Sequence, residues 1–257
     1  MSEKENVLAV DLPDTVAEDL GRAAKDKEVR LQRFAAEQAL EFLELARKQL
    51  KPVKGFWAVT LLNHPGIASI ASASDRDALT YINDIELIQD IKDPRAFELI
   101  FHFSENPYFT NTTLSKKYSL PEGVSAAPAD GSITEEMRLF EPEDLVASAT
   151  AIEWKEGKDL CAAQPRGTAE DAEDFDGDSG SFFHFWTLEG DSFNTGSFIL
   201  DDILDDPLRW FEGAGDDDDE EFGLDFDELD DEDDDDEGSV DLEDDEDKPP
   251  KKKARSD

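Results

Sequence analysis

The longest periodic pattern of apolar residues in the chain lies between residues 13 and 51. Apolar side chains recur there at spacings of three and four, which places them on one face of an α-helix. Thr15 and Glu18 have the spacing of a capping box, and Pro52 follows the last periodic residue. The sequence therefore predicts a helix over 13–51, about 54 Å long. The residues of this stripe are Val16, Leu20, Ala24, Leu31, Phe34, Phe42 and Leu45.

A helix of this length cannot bury its whole stripe against a body of about 150 residues. A second copy of the same helix is the expected cover, so the sequence predicts a homodimer. Lys27 and Gln38 interrupt the stripe, and Gly21 weakens the N-terminal part of the helix. The alternative is an intramolecular helix whose stripe packs against its own domain.

Residues 55–82 predict several short helices, because Asn63, His64, Pro65 and Gly66 interrupt the apolar pattern. Ser74, followed by an aspartate, offers an N-cap for the last of these helices.

Apolar and polar positions then begin to alternate, which is the pattern of β-strands. Residues 83–91 and 95–103 predict a hairpin, and 109–120 and 147–155 predict a third and a fourth strand. The apolar positions of the second strand are Phe97, Leu99, Phe101 and Phe103. Four neighbouring strands without a long helix between them predict an antiparallel sheet and an α+β fold.

The remaining segments predict a covering layer and a tail. Residues 121–146 are irregular, 156–181 form a mobile acidic loop, and 181–211 contain apolar and aromatic helical pieces that close the core beneath the sheet. The tail has too little apolar surface to offset its ordering entropy, so we expect it to be disordered. The predicted divisions are a flexible N-terminus (1–12), a dimerisation helix (13–52), a folded domain (53–212) and the acidic tail (213–257).

The charge is strongly negative in the body as well as in the tail. The formal net charge is −41, and residues 213–257 hold 24 acidic and 5 basic residues, so the rest of the chain is also acidic. DNA is a poor direct partner for such a chain, because neutralising phosphates requires Lys and Arg. The complementary partner is a basic macromolecule, and histones and ribosomal proteins are the abundant ones.

The sequence predicts a soluble intracellular protein. Cys161 is the single cysteine, so no internal disulfide can form. The N-terminus has no secretory pattern, and the most apolar window, "FWAVTLL", is far shorter than a membrane span. The final "PPKKKAR" predicts a nuclear-localisation signal, with a charge-balancing chain end as the alternative. Its basic residues are Lys251, Lys252, Lys253 and Arg255.

Two short motifs suggest chemistry but lack residues that the chemistry needs. "GDSG" at 177–180 matches the nucleophile loop of trypsin-like proteases, but Ser181 replaces the next glycine. The aspartates at 174, 176 and 178 are spaced as in a calcium loop, but Ser179 and Phe185 replace its glycine and glutamate. The three histidines are isolated. The sequence therefore predicts no enzyme activity, no metal site and no cofactor.

Four stretches resemble the nucleosome assembly protein family, and specifically its SET/TAF-I branch of histone chaperones. They are "FWAVTLLNHPGIASI", "FHFSENPYFTNTTLSKKYSL", "IEWKEGKDL" and the aromatic segment at 181–211. The core at 106–109, "NPYF", followed by Asn111 and Leu114, is the most specific part. The resemblance covers about residues 13–212. The chain departs from it at 121–146, which is longer and contains "FEPEDL".

The resemblance implies a homodimer joined by the long helices, each copy carrying an "earmuff" domain of antiparallel sheet and underlying helices. It further implies that an acidic concave surface and the tail bind core histones, shield them from non-specific DNA contacts and promote nucleosome assembly and disassembly. It places the protein in the nucleus and is compatible with shuttling to the cytoplasm. It also allows a scaffold or inhibitor that binds a histone acetyltransferase or a phosphatase. A third hypothesis is that the protein is a general acidic decoy that mimics DNA.

The candidate histone-binding residues are acidic side chains near the fourth strand, near the closing helices and at the start of the tail. They are Glu153, Glu156, Asp159, Asp201, Asp202, Asp205, Asp206, Asp216, Asp217, Asp218 and Asp219. The alternative for the aspartates from 201 to 206 is that they cap or solvate a helix. For the motif at 106–109, we expect a structural turn that locks the sheet.

Overall fold

The computed structural model describes residues 11–167 and 179–213 of the chain. The predictions for the first ten residues, for most of the acidic loop and for the tail lie outside these residues and stay predictions. Among the site residues, those outside are Asp216, Asp217, Asp218, Asp219, Lys251, Lys252, Lys253 and Arg255. The three aspartates of the calcium-like spacing also lie outside.

Helix α1 (Asp14–Leu50) contains 37 residues, and its predicted bounds are correct to within one residue at each end. The predicted capping box is wrong. The residue before the helix is Pro13, and no side chain caps this end. Because the helix begins at Asp14, Thr15 already lies in its first turn, where it is helical and cannot take the N-cap position. Within the described residues, no helix is both long and apolar enough to cross a membrane.

Two opposite faces of α1 are apolar and have different surroundings. Val29, Ala36 and Leu43 recur every seven residues and are buried against the rest of the chain. The stripe predicted from the sequence lies about 180° around the helix from this line. Its large side chains are between 40% and 61% exposed. The intramolecular alternative is therefore wrong for the stripe, although α1 does contact its own domain through the opposite face.

The segment 121–146, predicted to be irregular, contains two short helical elements. They are α5 (Glu135–Arg138) and a 3-10 turn (Pro142–Asp144). The Thr134 hydroxyl accepts from the Met137 amide and caps α5. The segment therefore has more regular structure than its sequence suggests.

This segment braces the middle of α1. Arg33 Nη1 donates to the Gly131 carbonyl at 2.7 Å, and Arg138 Nε donates to Asp26 Oδ1 at 2.7 Å. Met137 of α5 is buried beside these bonds, with 4% of its surface exposed. The longer segment thus fixes α1 to its own domain by contacts on both sides of an apolar side chain.

Three short helices follow α1, as predicted: α2 (Phe56–Asn63), α3 (Pro65–Ile70) and α4 (Ala73–Leu79). The cap of α4 is Ser72, and the predicted cap, two residues later, lies inside the helix. The Asp75 amide donates to Ser72 Oγ at 3.2 Å and the Ser72 amide donates to Asp75 Oδ2 at 2.9 Å. Both orphan amides are satisfied by this capping box.

The sheet has four antiparallel strands in sequence order, which confirms the predicted sheet and the α+β class. The strands are β1 (Ile82–Asp90), β2 (Asp93–Phe103), β3 (Thr113–Ser119) and β4 (Val146–Ala147). Every second residue of β2 is buried, and these include the four apolar residues predicted to face the core.

One face of the sheet is mainly apolar across the first three strands, and the buried charged residues on it are Asp93, Arg95 and Lys116. Phe101 of β2 is paired with Ile85 of β1 and with Leu114 of β3. Lys116 of β3 points to the same face and is fully buried. Its Nζ donates to the Leu188 carbonyl at 2.7 Å, and burial lowers the pKa of this ammonium group to about 8.

The predicted fourth strand, 147–155, is wrong in length. The alternating pattern suggested nine residues, but only two residues pair with β3. Beyond them, the Thr150 amide donates to the Trp186 carbonyl at 2.6 Å, and its hydroxyl donates to the Ser115 carbonyl at 2.7 Å. The chain therefore leaves the sheet because its backbone groups bond to the closing helices.

The closing layer consists of short helical pieces. They are α6 (Leu160–Ala163), α7 (His184–Thr187), α8 (Thr195–Ser197), a π-helix (Phe198–Ile203) and α9 (Pro207–Glu212). All but α6 fall in segments for which helices were predicted. Helix α6 lies in the segment predicted to be a loop.

Aromatic rings and one buried carboxylate hold this layer against the sheet. The rings of Phe101 and Trp186 pack edge to face with centroids 5.0 Å apart. Asp75 is fully buried and accepts from the Ser181 hydroxyl at 2.5 Å and from the Phe182 amide at 3.1 Å. Since the same carboxylate belongs to the α4 capping box, it links the helical layer before the sheet with the layer after it.

Candidate functional site

The predicted histone-binding side chains that the structure describes form two groups on different elements. We call the acids that follow β4 the turn acids, and we call those in the π-helix and in the turn before α9 the groove acids. The turn acids are Glu153, Glu156 and Asp159. The groove acids are Asp201, Asp202, Asp205 and Asp206.

The turn acids stand beside the "NPYF" motif, which forms a tight turn after β2. Asn106 Oδ1 accepts from the amides of Tyr108 and Phe109 at 2.9 and 3.0 Å, and only 5% of Asn106 is exposed. Phe109 forms a bridge with Trp154, and their ring centroids are 5.7 Å apart. The motif therefore has the structural role expected from the sequence.

Two of the three turn acids are engaged by their own surroundings. Glu153 Oε2 accepts from the Thr110 hydroxyl at 2.8 Å. Asp159 Oδ1 accepts from the Ala162 amide at 2.9 Å and caps α6. Glu156 is exposed. A carboxylate that already accepts hydrogen bonds must give them up or share them to bind a cationic partner.

Basic residues also lie among the turn acids. Lys155 Nζ donates to the Asn106 carbonyl, and Lys158 Nζ stands 5.8 Å from the centre of the Tyr108 ring. The Tyr108 hydroxyl donates to Asp77 Oδ2 at 2.6 Å, and this bond raises the pKa of Tyr108 to about 12. These two lysines offset much of the negative charge of the three turn acids.

Two of the groove acids are engaged as well. Asp206 Oδ1 accepts from the Arg209 amide at 3.1 Å and caps α9, so the capping alternative is right for this residue. Asp202 Oδ2 lies 3.2 Å from Nε2 of the buried His64, and the Asp202 carbonyl accepts from Trp210 Nε1.

The other two groove acids are exposed carboxylates. The side chains of Asp201 and Asp205 make no hydrogen bond or ion pair with any residue in 11–167 or 179–213. The pKa of Asp201 is raised above its ordinary value, first by burial against its neighbours and then by repulsion from Asp202 and Asp205. A positive charge at this point would relieve that repulsion.

Asp201 and Asp205 line a groove of about 700 Å³ between α1, the sheet and the closing helices. None of the turn acids takes part in it. Leucine and phenylalanine side chains from several elements make its apolar lining. They are Leu43, Leu87, Phe97, Phe140, Leu145, Leu200 and Leu204. The groove thus combines an apolar floor with exposed, unpaired carboxylates.

Sequence reasoning missed Asp191, which builds one wall of the groove. It accepts from the Tyr118 hydroxyl at 2.6 Å and from the amides of Thr195 and Gly196 at 3.0 and 2.7 Å. A Cβ at Gly196 would lie 2.0 Å from the Tyr118 hydroxyl, so only glycine allows this close approach. The sequence offered little signal for Asp191, because a capping aspartate directly precedes its helix and the residue in that position of α8 is Asn194.

Two observations concern groups that could bind a metal ion or act as a nucleophile. Within residues 11–167 and 179–213, no three His, Cys, Asp or Glu side chains are grouped so that they could hold a metal ion. Cys161 is half-buried, with its Sγ 3.7 Å from Thr187 Oγ1. Burial raises the pKa of this thiol to about 11, which keeps it protonated at neutral pH.

Comparisons with known sequences cover most of the chain. Residues 11–221 match the family model described as nucleosome assembly protein. The chain is 31% identical to human protein SETSIP over 230 residues, which is 86% of this chain and 71% of that protein. It is 27% identical to protein SET of Drosophila melanogaster over 169 residues, 63% of this chain and 56% of that protein.

Solved structures give the same fold. The crystal structure of the Vps75 histone chaperone superimposes with a TM-score of 0.53 at 16% identity, covering 78% of this chain and 95% of that one. At this identity the similarity establishes the fold alone. The sequence matches go further, because they run along most of the chain, and they show that this protein belongs to the nucleosome assembly protein family.

Proposed function

We propose that this chain is a histone chaperone, which binds core histones through acidic side chains and shields them from non-specific contacts with DNA. Membership of the nucleosome assembly protein family supports the proposal, as does the fold shared with a structure described as a histone chaperone. The net charge of −41 supports a basic partner. Binding and release need no bond to be made or broken.

The observation that carries this proposal is the pair of unpaired carboxylates, Asp201 and Asp205, at an apolar groove. Histone Lys and Arg side chains that pair with them are no longer available to DNA phosphates. Such pairs are weakened by salt, so the complex is reversible and DNA can displace the chaperone. The turn acids and the residues 216–219 of the tail add attraction at longer range and raise the rate of capture.

The exposed stripe of α1 supports the proposed homodimer. A second copy of a long helix can cover such an exposed apolar row along its length, and a contiguous exposed apolar surface is typical of an interaction site. Replacing both Leu31 and Phe34 by Asp puts charges in the middle of the row, and we expect the mass in solution to fall from twice 28.7 kDa to 28.7 kDa. Glu37→Gln, outside the row, is the control. A dimer that survives the double substitution contradicts this arrangement.

The basic cluster at the chain end supports a nuclear location. We expect Lys252→Ala together with Lys253→Ala to leave a fluorescent fusion of the full chain in the cytoplasm, while Lys248→Ala does not. Equal nuclear signal for both fusions contradicts the assignment.

The test of the proposed function is binding of the two refolded core-histone pairs, measured separately at graded salt. We expect histones to bind the full chain saturably, and we expect the full chain to suppress histone–DNA precipitation. Residues 1–213 should keep both properties, and circular dichroism checks that this shortened chain is folded. If the shortened chain loses all histone binding while remaining folded, the protein acts as a simple polyanion. If neither pair binds the full chain, the proposed function is wrong.

A further inference from the structure

The groove beside α1 has the size of a binding site and walls from separate parts of the chain. Its volume of about 700 Å³ falls in the range of pockets that hold organic ligands or a few side chains. The apolar part of the lining comes from α1, β1, β2, the segment before β4 and the π-helix. These elements are held together by the core, so the groove exists before anything binds.

Small side chains on α1 keep the groove open. Ala35 and Ala39 line it where the helix passes over the sheet, and neither is buried by its own domain. Opposite them, Phe140 and Leu145 come from the segment that braces α1. Leucine at either alanine would occupy the groove and not the core, since neither position is buried. The helix itself would be kept, because Ala and Leu are both strong helix formers.

The charges around the groove favour a cationic occupant. Four acidic residues and one basic residue line it. Arg95 is already neutralised, because Nε and Nη2 donate to the two carboxylate oxygens of Asp93 at 2.6 and 2.8 Å. Asp191 is satisfied by its own hydrogen bonds, whereas Glu143, Asp201 and Asp205 are exposed. The charge left for a partner is therefore negative.

The proposed dimer leaves the groove accessible. The exposed stripe of α1 and the residues of α1 that line the groove point in directions about 110° apart around the helix. A second copy that covers the stripe therefore borders the groove at Ala35, which lies about 20° from Phe42 around the helix, and leaves the side of Leu43 open. The groove is left for a different partner.

We propose that this groove binds an amphipathic cationic segment of a partner protein. Apolar side chains of that segment lie on the leucine floor, and a flanking Lys or Arg pairs with Asp201 and Asp205. The inference deepens the proposed function, on which it rests, because it assigns part of histone affinity to apolar anchoring that salt does not screen. If histones were bound by charge alone, no share of the affinity would be independent of salt.

Two synthetic peptides of equal length and equal positive charge separate these alternatives. One has Leu and Phe between its lysines, and the other has Ser in those places. We expect the full chain to bind the first about tenfold more tightly, the effect of burying one leucine-sized side chain. The difference should persist as salt is raised, while the affinity for both peptides falls.

Ala39→Leu and Leu200→Ser test the place of binding. The first fills the groove and the second makes its floor polar, so each should reduce the preference for the apolar peptide to less than about twofold. Ala17→Leu is the matched control, since this exposed alanine lies about six turns earlier on α1 and should keep the full preference. Circular dichroism and solution mass check that the variants remain folded dimers.

The outcomes distinguish failure of this inference from failure of the proposed function. If the full chain binds a histone pair but binds both peptides equally, or if both groove variants keep the preference, the groove is not the anchoring site and the inference is overturned. If the full chain binds neither peptide nor either histone pair, the proposed function itself is wrong.

Discussion

The two acidic groups of this domain differ in what surrounds their carboxylates rather than in their number. Among the turn acids, Glu153 accepts a hydrogen bond from Thr110, Asp159 caps a helix, and two lysines lie in the same segment. Among the groove acids, Asp201 and Asp205 have no partner in the described residues and repel one another. A carboxylate with no internal partner can bind an incoming cation without first breaking a bond.

This difference teaches that the acidic residues of a highly charged chain divide into those that hold the fold and those available to a partner. Asp205 and Asp206 are neighbours in sequence, yet only Asp206 caps α9. Net charge describes the field that attracts a basic protein from a distance. The contacts at short range depend on the carboxylates that the fold leaves unpaired.

The largest expected effect is a loss of stability when the "NPYF" turn, beside which the turn acids lie, is broken. Asn106→Ala removes the acceptor of two backbone amides at a buried position. We expect a loss of about 2–3 kcal/mol in the free energy of unfolding, measured in urea, because buried amides are left without a partner. Asn111→Ala, at a more exposed position, should cost less. Equal losses would show that the "NPYF" turn is not what holds this region.

A smaller effect separates two neighbouring aspartates. Asp206→Ala removes the cap of α9 and should lower the free energy of unfolding by about 1 kcal/mol. Asp205→Ala should leave stability nearly unchanged and weaken histone binding instead. Thermal unfolding and histone titration of both variants check the division. The distinction between structural and binding carboxylates is wrong if the two variants behave alike.

The smallest expected effect is the contribution of Asp201 to the pH dependence of stability. Its pKa in the folded protein is raised above the ordinary 3.8, so the folded state holds this proton more tightly than the unfolded chain does. The stability that protonation gives is present in acid and is lost as the pH rises through the folded pKa. Asp201→Asn should therefore gain stability relative to the wild type above that pH, by less than about 1 kcal/mol because the group is partly exposed.

Urea unfolding of both proteins from acidic to neutral pH measures this gain. A difference in stability that does not change with pH would show that the pKa of Asp201 is not raised in the folded protein.

The sheet and the helices could be predicted because their patterns are local. Phe97, Leu99, Phe101 and Phe103 of β2 occupy every second position and are buried, and this period is visible in the sequence without knowledge of the fold. The stripe of α1 was equally visible. Its other apolar face was missed because Val29, Ala36 and Leu43 recur only once every seven residues, which makes a much sparser line than the stripe.

Other features could not be predicted because they depend on distant segments. The fourth strand is only two residues long, since the Thr150 amide donates to the Trp186 carbonyl of the closing layer instead of to a backbone carbonyl of β3. Lys116 breaks the apolar pattern of β3 because the Leu188 carbonyl lies within reach of its side chain. The groove has no sequence signature, because its walls come from several segments that only the fold brings together.

The measurement that tests the account most directly compares two double variants that lose the same charge. Asp201→Asn with Asp205→Asn neutralises the unpaired groove acids, and Glu153→Gln with Glu156→Gln neutralises two turn acids. Each full chain is titrated with a refolded core-histone pair at about 0.15 M salt. The account predicts about a tenfold loss of affinity for the groove variant, from two lost charge pairs, and less than a threefold loss for the turn variant. Equal losses in the two variants would contradict it, because net charge alone would then determine histone binding.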